Sequence, residues 1–351
     1  MAEHVQGMKL RDNTPVLLVT DIGRDIDDTL ALIALCGFEA EKRVKIVGVV
    51  GTGGIPDKRA RLARSWLRML MGEERGGQVP VAFDAQPEGV PGKPGFFSIP
   101  EMDRQERDGP DFNLYPTGAA QLIVDMAEEH RGKLHLICIS PLTPVAEALR
   151  RDLQVVQEGV VQIHMQGQAT VNAAGVMEPD FQAFNLSEDR AAAKEVFEKL
   201  QGRIPFRLLG KHAAYRVSIN RDDFQRWDER AGEKGYLTNC AKQGLEGLKE
   251  HLPAVFDRLY PLPPDKRDAD DWFDSVQKIS HPYDPLLVVA GCNEDLFDGK
   301  VVEPAGTNNI RHELIGMTEG GDAGVKDAEK AKQALGKAVE VGIQLIVDGS
   351  R

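Results

Sequence analysis

Four aspartates, Asp21, Asp25, Asp27 and Asp28, fall within eight residues, directly after the apolar run Val16-Leu17-Leu18-Val19-Thr20. The run has the length and β-branched content of a buried strand. From Thr29 onward, Leu30, Ile33 and Ala34 begin a helical pattern, so the acidic segment reads as the loop between a strand and a helix. Carboxylates at this density repel one another unless a cation joins them. In parallel α/β sheets, the carboxyl edge of the strands is also where ligands bind. A chain carrying this segment is therefore expected to fold as an α/β protein with a charged ligand site at one sheet edge.

The remaining sequence continues the same alternation. After Val16 to Thr20, strands are expected at Val44 to Val50, Val81 to Phe83, Leu134 to Ser140, Gly159 to Met165 and Phe206 to Leu209. Helices are expected between them at about 26–38, 57–72, 117–130, 143–151 and 187–199, which gives β-α units wound in one hand. The expected fold class is α/β: a single domain over 13–351, with a mostly parallel central sheet flanked by helices, and a flexible N-terminus at 1–12. Residues 86–115, rich in Pro, Gly and Asp, read as a long loop over the site edge. From Asp222 to Ile279 the pattern is helical and polar, broken by Pro261-Leu262-Pro263-Pro264 and the charged Asp265 to Asp271. This is expected to form a helical insertion at about 220–280. An amphipathic helix from Lys326 to about Val347 follows the loop Glu319 to Gly324.

Charge and composition restrict the partners. The 351 residues carry 43 Lys plus Arg against 55 Asp plus Glu, a net charge of −12, which argues against nucleic acid or an anionic membrane. The longest apolar runs, such as Leu134 to Ile139 and Leu286 to Ala290, are strand-sized and too short to span a bilayer. Met1 to Asp12 is polar and has no signal-peptide stretch. Cys36, Cys138, Cys240 and Cys292 are widely spaced, as expected of free thiols in a reducing compartment. The expected location is cytoplasmic, or secretion without a cleavable signal peptide in the manner of an effector.

A carboxylate cluster on one loop suits a hard cation with oxygen ligands, Ca²⁺ first and Mg²⁺ second. Helix capping by Asp is the plainer explanation. It accounts for Asp27 or Asp28 but not for Asp21 at a strand end. The segment resembles the signature of the inosine-uridine-preferring nucleoside hydrolase family, Asp-x-Asp-Pro-Gly-x-Asp-Asp followed by a helix. Placed without a gap, Asp21, Asp27 and Asp28 match and Gly23 stands where the family has its catalytic base. Placed with Arg24-Asp25 as an insertion, Thr20-Asp21-Ile22-Gly23 and Ile26-Asp27-Asp28 match, and Val19 takes the place of the first Asp. The second placement agrees with the strand and the glycine turn.

Five further segments carry the resemblance in the same order, over roughly residues 15–300. Ile46 to Thr52 looks like the second strand, with Thr52 replacing an asparagine. Ser140-Pro141-Leu142-Thr143 is similar to the turn whose threonine carbonyl binds metal. His164-Met165-Gln166-Gly167 resembles the strand end beneath the sugar. Ala183-Phe184-Asn185 resembles Glu-Phe-Asn, and Tyr283-Asp284-Pro285-Leu286 resembles His-Asp-Pro-Leu. The resemblance implies a nucleoside hydrolase-like fold and Ca²⁺ held by Asp21, Asp28, the Thr143 carbonyl and Asp284. It also implies substrate contacts from Asp27, Asn185, Met165 and Thr52, catalytic roles for Asp21 or Asp25 as base and for Tyr283 beside the leaving group, and a homo-oligomer. The expected activity is Ca²⁺-dependent hydrolysis of the N-glycosidic bond of a ribonucleoside or related ribosyl compound.

The departures thin the family's usual contacts: Ala183, Thr52 and Tyr283 stand for Glu, Asn and His. Each lost polar partner can cost about 1–3 kcal/mol, so a larger ribosyl ligand of ADP-ribose type is a plausible occupant. The variant pattern resembles the nucleoside hydrolase-like branch that includes type III effectors of plant pathogens. Arg24 either neutralises its aspartate neighbours or faces a ligand phosphate. His135 and His164 lie in strand patterns and are expected in the core or just behind the site, whereas His212, His251, His281 and His312 show no ligand spacing. Two rivals stand beside the hydrolase. One is a haloacid-dehalogenase-type phosphatase, with Asp25 as nucleophile and Asp27 as acid/base. The other is a catalytically silent ribosyl-binding protein.

Overall fold

A computed structural model describes residues 9–23, 25–84, 114–173, 175–232, 237–238, 240–242, 249, 257, 281–303, 310–318 and 324–349. Strand β1 (Thr14–Thr20) leads into helix α1 (Ile26–Ala40), followed by β2 (Val44–Gly51), α2 (Pro56–Gly76, broken at Gly72) and β3 (Val81–Phe83). Next come α3 (Ala119–Glu129), β4 (Leu134–Cys138), α4 (Thr143–Gly159) and β5 (Val160–Gln166). A hairpin of β6 (Ala169–Val171) and β7 (Met177–Pro179) precedes α5 (Phe184–Glu188), α6 (Arg190–Leu200) and β8 (Phe206–Leu209). The chain continues with α7 (Lys211–Ala214), α8 (Arg221–Ala231), α9 (Tyr283–Cys292), β9 (Lys300–Val302), β10 (His312–Ile315) and α10 (Ala328–Gly349).

Eight strands form one sheet in the order β3-β2-β1-β4-β5-β8-β10-β9, parallel throughout except for β9 against β10. Apolar residues alternate between its faces and build two core layers. One lies under α1, α2, α9 and α10 around Trp66, Leu32 and Leu287; the other lies under α3, α4 and α6 around Leu122, Leu149 and Phe197. The chain runs outward from β1 through β2 to β3, then returns to place β4 on the other side of β1. This reversal opens the crevice at the β1 and β4 carboxyl ends.

The expected α/β class, its parallel sheet and the six strands through Phe206 agree with this architecture. One run differs. Leu286 to Ala290 is strand-sized in sequence but lies inside α9, a helix buried at every position from Asp284 to Cys292. A helix buried on all sides has no polar face to mark its period. The three- and four-residue strands β6, β7, β9 and β10 are too short to carry an alternation signal. Arg24, most of the loop at 86–115, the segment 319–323 and most of the proposed insertion beyond α8 lie outside the described residues. No described helix is long and apolar enough to cross a membrane, and the four cysteines are free and buried.

Helix α10 fastens α1 to the sheet. A Cβ at Gly37 would lie 2.1 Å from the Ala338 carbonyl oxygen, and one at Gly342 would lie 2.2 Å from that of Ile33. Glycine at both positions lets the two backbones touch, which holds the helix that carries Asp27 and Asp28.

Candidate metal and ligand site

The site begins where β1 stops. Ile22 is fully buried and anchors the loop, while Gly23 takes a positive φ of 150° that glycine accommodates without strain. Asp25 occupies the position before α1 and is exposed, and Asp27 and Asp28 fall in the first helical turn, where the helix dipole favours negative charge. The Thr20 hydroxyl and, at 3.2 Å, the Asp21 amide both donate to Asp28 Oδ1. The Asp28 amide donates to Asp27 Oδ1 at 3.2 Å. Far away in sequence, Asp284 sits in the first turn of α9, and carboxylate oxygens of Asp27, Asp28 and Asp284 lie within 4.8 Å of one another.

Three carboxyls so close hold protons more tightly than carboxyls in water. Burial, and then the charges of Asp25 and Asp21, push Asp27 up to about 7. Burial followed by the neighbouring carboxylates raises Asp28 and Asp284 well above the usual range. Asp27 and Asp284 hydrogen-bond through their side chains, as two carboxyls do when they share a proton. An all-oxygen donor set, with two of its three carboxyls buried, fits a hard divalent cation such as Ca²⁺ or Mg²⁺.

Asp21, expected in that shell, is outside the trio. Its Oδ2 lies 3.8 Å from Arg59 Nη2, and its charge is felt by all three trio members. Arg59 is itself buried. It donates from Nε to the Gly53 carbonyl at 2.7 Å and from Nη1 to the Ile22 carbonyl at 3.0 Å, stapling the loops after β1 and β2 together. Gly53 has a φ of 74°, a left-handed conformation that favours glycine.

The strand register extends the site sideways. Thr20 pairs with Gly51 and Gly51 with Phe83, so Asp21, Thr52 and Asp84 follow in one row beyond the strand ends. The Thr52 amide donates to the Thr20 carbonyl at 3.0 Å, and the Thr52 hydroxyl donates to Asp84 Oδ2. Asp84 is only 6% exposed and its Oδ1 has no partner. Burial drives its carboxyl up to about 6. At the β4 end, the hydroxyl of buried Ser140 is likewise without a partner.

On the other flank, Asn185 is buried and its Nδ2 donates to Gln166 Oε1 at 2.8 Å at the end of β5. Met165 packs in the core layer that also holds Ala183 and Leu186. The Thr143 hydroxyl donates to Asp189 Oδ2 at 2.8 Å. Tyr283 lies edge-on to Tyr215 and His281, with ring centroids 6.1 Å apart in both pairs, and His212 closes the group against Tyr215 at 5.7 Å. His135 and His164, expected in the core, are there: they face each other at 3.1 Å, and burial beside Arg207 lowers both, His135 to about 3. Arg59, Asp84, Tyr215 and His281 were not singled out as site residues by sequence. Of these, Asp84 alone has a local signal, an acid directly after an expected strand.

Comparison with known proteins adds to this geometry. The model of the family described as inosine-uridine preferring nucleoside hydrolase matches residues 16–344. Among solved structures, the effector protein XOO4466 is 23% identical, with 94% of each chain covered and a TM-score of 0.72. The type III effector protein XopQ, solved complexed with adenosine diphosphate ribose, is 22% identical with the same coverage and the same TM-score of 0.72. A purine-preferring ribonucleoside hydrolase from Gardnerella vaginalis is 17% identical over 94% of this chain and 99% of its own, with a TM-score of 0.61. No curated protein matches the sequence.

Proposed function

This chain belongs to the inosine-uridine preferring nucleoside hydrolase family, and from that premise we propose that it binds a ribosyl compound over the Asp27–Asp28–Asp284 cluster and hydrolyses its N-glycosidic bond with Ca²⁺. The observation that carries this reading is the convergence of three carboxyls, from two helices distant in sequence, within 4.8 Å. Asp28 and Asp284 would hold the cation, with the Thr143 carbonyl and Asp21 completing its shell. Bound there, it supplies positive charge that lowers the pKa of a nearby water.

The protein's own groups do the rest. Asp27 and Asn185 accept and donate to the ribose hydroxyls and so fix the anomeric carbon. Asp21, part-buried beside the trio, takes the water proton as the new C–O bond forms. Asp25, the other candidate base, is exposed and its charge bears on Asp27. The C–N bond breaks toward the aglycone, which leaves with its electron pair and gains a proton. Tyr283 borders that side and can stack on the departing base or protonate it.

A silent ribosyl-binding protein is the second reading. It is favoured by Ala183, which offers no polar group where the family has glutamate, and by the ADP-ribose complex of the neighbour XopQ. The phosphatase reading lacks a nucleophile in place, since β1 ends at Thr20 and Asp25 stands at the start of α1. Calorimetric titration with Ca²⁺, then with ribose, inosine, adenosine and ADP-ribose, separates the remaining two when released base and ribose are assayed afterwards. Ca²⁺-dependent binding with release is the result expected of the hydrolase. Binding without release favours the silent reading, and failure to bind Ca²⁺ overturns both.

A further inference from the structure

Thr52 was expected to touch the ligand, yet its hydroxyl is spent on Asp84. Beside the remaining lone pairs of Thr52, the edge of β2 and β3 offers a ligand the Asp84 carboxyl. Three hydrogen bonds tie that carboxyl to the metal cluster in an unbroken line. The Thr20 hydroxyl holds Asp28, the Thr20 carbonyl receives the Thr52 amide, and the Thr52 hydroxyl holds Asp84 Oδ2. This fixes the carboxyl's orientation, and its other oxygen, Oδ1, is buried with no partner. A buried acceptor left without a donor is unfavourable, and such groups are rare in folded proteins unless a ligand or water completes them. Thr52 and the stapled Gly53 loop separate Asp84 from Asp21, so the residue stands beside the cluster and not in it.

Resting on the ribosyl reading above, we propose that Asp84 reads the aglycone: its Oδ1 accepts a hydrogen bond from an N–H or O–H of the group attached to ribose, and Thr52 is its positioning residue. Asp84 lies two strands from β1, about 10 Å by inter-strand spacing. That offset puts it past a ribose held at Asp27, on the side of the attached group away from Tyr283. The ligand class selected is a ribosyl compound whose aglycone bears a donor, such as an adenine amino group, over one that bears none.

The test uses the Ca²⁺-loaded full chain and three probes: D-ribose, adenosine, and purine riboside, which lacks the adenine amino group. Wild type is expected to bind adenosine about tenfold more tightly than purine riboside. Asp84→Ala should bring that ratio close to one while changing ribose affinity less than about twofold. Asp84→Asn keeps the shape and the Thr52 bond but turns a donor toward the ligand, so the preference should invert. That inversion also guards against a misfolded alanine variant. Thr52→Val should weaken the preference and Thr52→Ser restore it, whereas a purely structural Thr52 would move Tm without moving the ratio. Equal binding of the two nucleosides by wild type, or a ratio untouched by Asp84→Ala and Asp84→Asn, overturns the assignment of Asp84 alone. Absence of binding by all three probes overturns the ribosyl reading and this one with it.

Discussion

Thr20 serves the site with both ends of its residue, hydroxyl to Asp28 and carbonyl to Thr52. Removing the hydroxyl leaves Asp28 Oδ1 with the Asp21 amide alone, and supports of this kind tune metal affinity by about 10–100-fold. Thr20→Val is expected to weaken Ca²⁺ binding by about tenfold, and Thr20→Ser to restore it, read by calorimetry. The cluster also dictates a pH response. Asp27 rises from 3.8 to about 7 on folding, so without metal the folded state binds more protons than the unfolded chain. Its stability is fully present below pH 4 for this group and declines as pH climbs toward 7. Melting curves in a chelator should fall across that window, and saturating Ca²⁺ should flatten them. Ca²⁺ uptake near pH 6 should release protons, seen as a dependence of the titration heat on the buffer's ionisation enthalpy. Asp284→Asn removes one repelling carboxyl: the chelated protein should melt higher at pH 8 than wild type, yet lose its Ca²⁺ response. Asp27, Asp28 and Asp284 were legible because each sits in a short local pattern. Arg59 was not, because a first-turn arginine in a helix has no pattern until the fold brings it 3.8 Å from Asp21.

At the scale of elements, two helices decide how well the acidic loop is held. α9 was unreadable as a helix because burial on all sides erased its period, although the Asp284 it carries was found from its neighbours in sequence. The β1–α1 unit was legible from the acidic turn between a strand and a long apolar helix, although α1 too is buried from Asp28 to Phe38. α10 meets α1 through Gly37 and Gly342, and a methyl group at either cannot fit without moving backbone. Gly37→Ala is expected to destabilise by about 1–3 kcal/mol and to lower Ca²⁺ affinity, because α1 must shift and carries Asp27 and Asp28. Gly336→Ala, on the same α10, would meet only Arg226 at 3.8 Å. It should leave Ca²⁺ binding alone and add up to about 1 kcal/mol of stability. Chemical denaturation of the pair, with Ca²⁺ titrations alongside, checks both.

For the whole molecule, the parallel sheet followed from the strand–helix alternation, and the ligand edge followed from where β1 ends. The lateral extent of the site did not, because Asp84, Thr52 and Asp21 come into one row only through the register of β3 on β2 on β1. The aromatic group arises the same way, where the fold brings Tyr215 against the distant segment His281-Pro282-Tyr283.

The clamp of α10 on α1 bears on the order of events as the protein is made. Synthesis delivers Asp21 to Asp28 early, while Asp284 and residues 328–349 come hundreds of residues later. Through most of translation the acidic loop therefore has neither its third carboxyl nor the helix that braces its support. A nascent chain in this condition offers only a loose set of aspartates, which any abundant cation can neutralise without selection. On the function proposed above, selective loading with Ca²⁺ therefore follows release of the chain from the ribosome.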